Sequence, residues 1–118
     1  MNTLTIDVRS LSDSLAEAAR AMTSGKAQGP RYSFSSPQAL MRTLGGKRFD
    51  LIQALSGAGP VTIREAARRV ERDVKAVHGD VTALLGAGLL GRNADGRIEF
   101  PFDAVKVDEA MLERVYQF

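Results

Sequence analysis

The stretch that decides the fold spans residues 60–101 and reads PVTIREAARRVERDVKAVHGDVTALLGAGLLGRNADGRIEFP. Its first part predicts a helix that is capped by Thr62, with Glu65 three residues later as in a capping box. Asp73 can cap a second helix with one apolar face. That face comprises Val74, Val77, Val81, Leu84 and Leu85. The turn-forming residues 93–96 (NADG) then separate two short apolar segments, as in a β-hairpin.

Two helices joined by a tight turn and followed by a hairpin are the elements of a winged helix-turn-helix. In that fold one helix enters the major groove, and the hairpin reaches the backbone or the minor groove of DNA. Ala66 and Ala67 supply the small side chains that the crossing of the two helices requires. We therefore predict a mainly α fold with a small β-hairpin wing, of class α+β, with an extra helix at the N-terminus.

The N-terminal residues predict a strand and that extra helix. Residues 1–9 alternate apolar and polar side chains, and Ser10 or Ser12 can cap the helix that follows. The apolar side chains of this helix form one stripe, which comprises Leu11, Leu15, Ala18, Ala19 and Met22. Because an isolated helix of this length is marginal in water, we expect the stripe to pack on its own domain or on another chain.

The remaining segments predict short elements. Tyr32–Phe34 favours a strand, Ser36-Pro37 opens a helix that Gly45-Gly46 ends, and a further helix runs from about Lys47 to Ser56. Val105–Val107 again favours a strand. We divide the chain into an arm and linker over 1–29, the winged domain over 30–107, and a C-terminal helix or tail over 108–118.

The composition disfavours an enzyme. The 118 residues include no cysteine, which rules out disulfides, thiol nucleophiles and cysteine-ligated zinc. They include one histidine. A histidine-ligated metal site is improbable for the same reason, and we expect His78 to be half-buried. We predict no catalytic residues, no cofactor and no metal. Since no apolar run is long enough to span a membrane, we expect no membrane partner and a cytoplasmic protein.

The charge is distributed unevenly along the chain. Residues 42–97 carry a net charge of +4, whereas residues 98–118 carry −3, within a total of +2. A basic centre beside an acidic tail indicates an anionic partner for the centre, although a solvated charged surface has the same pattern.

The run VTIREAARRVERDVKAVHGDVTALLGAGLLGRNADGRIEFPFDAVKV resembles MarR- and ArsR-like winged-helix transcriptional regulators. It is most similar to a subgroup of DNA-binding antitoxins found beside TumE-type toxins, and the similarity covers residues 47–107. The resemblance implies a homodimeric repressor that also neutralises a toxin protein. This sequence differs from those relatives at Ala76 and Gly79, where they carry polar or basic side chains.

The predicted DNA-binding residues form three groups. Side chains for the major groove are Arg72, Lys75 and Thr82. Side chains of the wing are Arg92, Asn93 and Arg97. Residues that hold phosphates are Thr62, Arg64, Lys47 and Arg48. Double-stranded DNA and a second copy of the chain are the expected partners, because one small winged module reads too short a site.

An alternative interpretation is a protein-interaction module that neutralises a toxin and binds DNA weakly or without specificity. The features that favour it are the N-terminal helix, the acidic tail and the small side chains at Ala76 and Gly79. Its predicted partner-binding residues are Leu11, Leu15, Met22, Asp108 and Glu109.

Overall fold

Five helices and five strands lie in residues 2–24 and 29–108, the part of the chain that the computed structural model describes. In chain order they are β1 (Thr3–Val8), α1 (Leu11–Ser24), β2 (Arg31–Phe34), α2 (Pro37–Leu44), α3 (Arg48–Leu55), α4 (Ile63–Arg69), α5 (Val74–Gly86), β3 (Gly91–Arg92), β4 (Ile98–Glu99) and β5 (Ala104–Val107). The predicted α+β class is confirmed.

The chain forms two compact units. The helical unit comprises Asn2 and residues 43–104, and the sheet unit comprises residues 3–42 together with the described residues from Val105 onward. The sequence-based division at residue 29 falls inside the sheet unit, between β1 and β2. Those two strands pair with each other, a long-range contact that no local pattern indicates.

In the helical unit, α3, α4 and α5 form one core. Its fully buried side chains come from all three helices and from the hairpin, and include Leu51, Ile52, Leu55, Ala66, Val77, Val81, Leu84 and Ile98. The predicted caps are present: the Thr62 hydroxyl accepts a hydrogen bond from the amide of Glu65, and the Asp73 carboxylate accepts one from the amide of Lys75. Each satisfies one amide that the helix leaves unpaired.

The hairpin follows α5 directly and is joined to the segment before α4. Strands β3 and β4 pair antiparallel, with Arg92 opposite Ile98. Ile98 also exchanges two backbone hydrogen bonds of 2.8 Å with Val61. This bridge fixes β4 to the start of α4, so the hairpin is held at both ends of the pair α4–α5.

The sheet unit is built on three strands in the order β2-β1-β5. Strand β1 pairs parallel with β2, from Thr5 opposite Arg31 to Val8 opposite Phe34, and α1 makes the connection between them. The amide of Asp108 donates to the carbonyl of Ile6, which continues the pairing of β1 with β5. The central strand β1 therefore pairs with β5, a segment about a hundred residues further along the chain.

Asp7 is the buried charged residue of this sheet, with a side chain that is 0% exposed. Its carboxylate contacts the guanidinium groups of Arg31 at 2.6 Å and Arg9 at 3.0 Å. Arg31 lies in addition 3.8 Å from the carboxylate of Asp108. Burial of an unpaired carboxylate is costly, and these two arginines compensate for it.

Two sequence-based expectations about burial are wrong. Val74 is 42% exposed, because it lies at the first turn of α5 beyond the reach of the core. His78 is exposed, since its position on α5 turns away from Val77 and Val81. None of the described helices combines the length and the apolar character that crossing a membrane requires.

Candidate nucleic-acid interface

The exposed face of α5 consists mostly of small side chains and carries no acidic side chain. Its exposed positions after Val74 are Lys75, Ala76, His78, Gly79, Thr82 and Gly86. The sole acid of the helix, Asp80, lies at the edge of this face and is bound to two arginines. The Thr82 hydroxyl donates to the carbonyl of His78, so its oxygen is held against the helix. These positions therefore form a surface of mostly small side chains with one cation, Lys75, in the first turn of the helix.

The hairpin tip presents two arginines on a rigid turn. Residues 91–97 are all exposed. The Asn93 side-chain oxygen accepts hydrogen bonds from the amides of Asp95 and Arg97, at 3.0 and 2.9 Å. The Arg92 guanidinium donates to the carbonyl of Gly96. Asn93 thus shapes the turn, and Arg92 and Arg97 supply its positive charge.

Five of the predicted DNA-binding cations are exposed and carry no ion pair. Within residues 2–24 and 29–108, no carboxylate lies within 4.0 Å of any of them. They are Lys47, Arg64, Lys75, Arg92 and Arg97, all in the helical unit. Lys47 directly precedes α3, Arg64 lies in the first turn of α4, and Lys75 in the first turn of α5.

Two other arginines that were predicted to bind DNA, Arg48 and Arg72, form ion pairs within the protein. Arg48 approaches Asp80 at 3.0 Å and Arg72 approaches it at 2.8 Å, and all three side chains are at most 30% exposed. Burial raises the pKa of Asp80, but the hydrogen bonds and positive charges of both guanidinium groups together lower it more, so its pKa lies below the usual value. Asp80 thereby ties α5 to the start of α3 and to the turn before α5.

The basic face of α4 is also partly neutralised. Glu65 binds Arg68 at 2.6 Å and Arg69 at 3.2 Å, the i,i+3 and i,i+4 partners on the same helix. The hydrogen bond from Arg68 is the main cause that lowers the pKa of Glu65. Thr62 is exposed, and its hydroxyl oxygen is engaged as the cap of this helix. Arg64 is the arginine of α4 that forms no ion pair with a residue that the structure describes.

Sequence reasoning missed Asp80 and misplaced His78. No local pattern marks Asp80, because one of its partners, Arg48, lies 32 residues away along the chain. The exposed position of His78 adds an imidazole to the outward face of α5, one turn before Thr82.

The net charge of the helical unit is smaller than that of residues 42–97. With Glu99 and Asp103 included and Arg42 left out, residues 43–104 have a net charge of +1. The positive character of this unit therefore depends on where its unpaired cations lie rather than on a large excess of them. Glu99 and Asp103 line a shallow cavity of about 320 Å³ beside Phe100 and Gly57.

The structure describes some of the predicted partner-binding residues but not all of them. Leu15 and Met22 on α1 are 62% and 85% exposed. Asp108 follows β5 and lies near Arg31. The side chain of Leu11 and the whole of Glu109 lie outside the described residues. Among the residues that the structure describes, no group of His, Asp and Glu side chains could hold a metal ion.

A family model is what the comparisons with known proteins match to this chain. No curated protein and no solved structure matches the chain. The model of the family HVO_A0114 matches residues 43–107, which is more than half of the 118 residues. The match begins at Thr43, where the helical unit also begins, and it runs through the hairpin to the end of β5. The chain belongs to the HVO_A0114 family.

Proposed function

We propose that the helical unit is a winged helix-turn-helix module and that the protein is a dimeric, sequence-specific transcriptional repressor. In this proposal α4 and α5 are the helix-turn-helix, α5 enters the major groove, and the β3–β4 hairpin is the wing. The protein is then a binding protein of the cytoplasm rather than an enzyme, with double-stranded DNA as its ligand.

The observation that carries the proposal is a set of five exposed cations in the helical unit that form no ion pair with any residue that the structure describes. Lys75 belongs to α5 itself, and Arg92 and Arg97 belong to the hairpin that follows it. Lys47 directly precedes α3, and Arg64 lies in the first turn of α4. Phosphate contacts of this kind fix the register of a protein on DNA and supply much of its affinity.

Base recognition in this proposal depends on few side chains. Ala76 and Gly79 lack the donors and acceptors with which a side chain reads a base edge. Lys75 can donate to guanine, and the methyl groups of Ala76 and Thr82 can contact the methyl group of thymine. Two copies on two-fold-related half-sites would double this limited readout.

A second candidate function is the neutralisation of a toxin protein, alone or together with repression of the shared operon. The small side chains on the outward face of α5 favour it, because they limit specific base contacts. The resemblance to antitoxins of TumE-type pairs is its other support.

The deciding experiment is a fluorescence-anisotropy titration with a duplex from the upstream region of the protein's own gene. A scrambled duplex of the same composition is the control, and both are titrated at two salt concentrations. We expect a preference for the first duplex of about a thousandfold or more. The slope of log K against log salt then counts the phosphates that are neutralised, at about 0.9 per contact.

Weak and equal binding to both duplexes would overturn the proposal of a specific repressor. That outcome would favour the second candidate. Co-expression with the product of the adjacent gene, followed by co-purification of the two defined chains, would then test toxin binding directly.

A further inference from the structure

Helix α1 exposes large apolar side chains, which a helix that packs on its own protein normally buries. The apolar side chains Leu15 and Met22 are 62% and 85% exposed. Among the α1 side chains that the structure describes, the partly covered ones are Ser14 and Glu17, and both are polar. A surface helix normally buries its apolar stripe and exposes its polar one. The exposed stripe therefore indicates that α1 packs against another molecule.

The stripe is free of charge, which restricts the partner. At 100° per residue, Leu15, Ala18, Ala19 and Met22 fall within an arc of about 100°. The three charged residues of α1, Asp13, Glu17 and Arg20, cluster on the opposite side. Glu17 contacts Arg20 and lies 4.0 Å from Arg9, so its charge is compensated within the protomer. A nucleic acid or a charged peptide has nothing to pair with on this stripe, whereas an uncharged apolar surface fits it.

The stripe is also complementary to itself. When two copies of α1 lie antiparallel about a two-fold axis between Ala18 and Ala19, Leu15 faces Met22 of the other copy and Ala18 faces Ala19. The two alanines occupy the crossing point, where small side chains allow close approach of the helices. The longer side chains at each end then cover the crossing. This arrangement brings no two like charges together, since all charged side chains of α1 lie on the far side.

We propose that α1 is the homodimer interface of this protein, packed antiparallel on α1 of a second copy about a two-fold axis near Ala18 and Ala19. The contact is isologous, as expected for a closed two-fold dimer. The inference does not rest on DNA binding, and the dimer forms whether or not the helical unit binds an operator.

The first test measures the mass of the full chain in solution by sedimentation equilibrium. We expect about twice the monomer mass of 12.7 kDa. The double variant Leu15→Glu/Met22→Glu places four acidic side chains in the contact and is expected to sediment as a monomer. Gln38→Glu is the matched control, because it adds a negative charge at an exposed position of α2, and it should remain a dimer. Since Leu15 and Met22 are exposed, the far-ultraviolet circular dichroism of the double variant should equal that of the wild type.

The second test uses the absence of cysteine from the chain. Ala19→Cys introduces a single thiol beside the two-fold axis, and a disulfide requires Cα atoms within about 7 Å of each other. We expect mild oxidation to convert this variant into a covalent dimer while Gln38→Cys remains without a cross-link. A monomeric wild type, or a dimer that persists unchanged in the double variant, would overturn the proposal. So would an Ala19→Cys protein that does not cross-link.

Discussion

At the scale of single residues, the two exposed arginines of the hairpin tip differ in how their side chains are held. The guanidinium of Arg92 is tied to the carbonyl of Gly96, whereas Arg97 projects from a turn whose backbone the Asn93 side chain fixes. A cation on a rigid turn loses little conformational freedom when it binds a phosphate. Arg97 is therefore the residue at which the wing interpretation is most directly tested.

We expect Arg97→Glu to weaken DNA binding by about tenfold, because a charge-assisted contact is replaced by repulsion. The salt slope should become shallower by about one unit, as for the loss of one phosphate contact. Anisotropy titrations at two salt concentrations measure both quantities. Lys106→Glu is the control, with the same reversal of charge at an exposed residue of the sheet unit. Equal affinities and slopes for Arg97→Glu and the wild type would remove Arg97 from the interface.

Asp80 makes stability depend on pH through its two arginine partners. Because its pKa in the folded protein is lower than in the unfolded chain, it stabilises the fold at pH values above the unfolded value of 3.8. This contribution is lost as the pH falls through the pKa of the folded state. We expect Asp80→Asn to lower the free energy of unfolding at pH 7 by about 1 kcal/mol or less. The difference from the wild type should disappear in strong acid.

Urea unfolding at neutral and at acidic pH measures this difference. Asp50→Asn is a suitable control, since Asp50 is an exposed acid on α3 that forms no ion pair among the described residues. A stability gap between Asp80→Asn and the wild type that stays constant down to strong acid would mean that the carboxylate charge is not what Asp80 contributes.

At the scale of the elements, the ends of the helices depend on side chains that lie next to them in sequence. Ser10, Ser36, Thr62 and Asp73 each accept a hydrogen bond from an amide of the first turn that follows. Since a cap needs only residues two or three positions apart, the sequence predicts the starts of α1, α2, α4 and α5. The hairpin was predictable for the same reason, because Asn93 and Gly96 make its turn on their own.

The parts that could not be predicted join distant residues. The parallel pairing of β1 with β2 depends on contacts such as that of Asp7 with Arg31, 24 residues away. Asp80 meets Arg48 across 32 residues. Neither pair has a local pattern that distinguishes it from the other acids and arginines of the chain. The exposure of His78 likewise depends on which face of α5 the core takes.

Substitution of two glycines, Gly79 and Gly96, is expected to have opposite effects on stability, because only Gly96 has a positive φ. An added Cβ would meet nothing within 4 Å at Gly79 or at Gly96, but Gly96 has a φ of +81°. We expect Gly96→Ala to destabilise the protein by about 1 kcal/mol, because an L side chain is disfavoured at that φ. Gly79→Ala, within α5, should stabilise it by up to about 1 kcal/mol through helix propensity. Thermal unfolding of both variants checks the opposite signs, and two shifts in the same direction would contradict the assignment.

At the scale of the whole chain, the sheet unit is assembled from both ends of the sequence. Strand β1 lies between β2 and β5, and its side chains Leu4 and Ile6 are 4% and 0% exposed. The N-terminal residues therefore supply the centre of a sheet rather than an arm that can be detached. The helical unit has a core of its own, to which α3, α4, α5 and the hairpin all contribute.

Deletion of residues 1–28 should consequently unfold the sheet unit and leave much of the helical unit intact. The loss of two buried aliphatic side chains alone should cost at least about 3 kcal/mol. Limited trypsin digestion followed by mass spectrometry can locate the damage, because Arg31, Arg42 and Lys106 lie in the sheet unit and Arg64 lies in α4. We expect cleavage at the first three sites to become fast while cleavage at Arg64 stays slow. The full-length variant Leu15→Glu/Met22→Glu is the control, because it alters the exposed stripe of α1 and keeps β1, and its cleavage pattern should match that of the wild type. If the shortened chain keeps the wild-type pattern at all four sites, β1 does not stabilise the sheet unit.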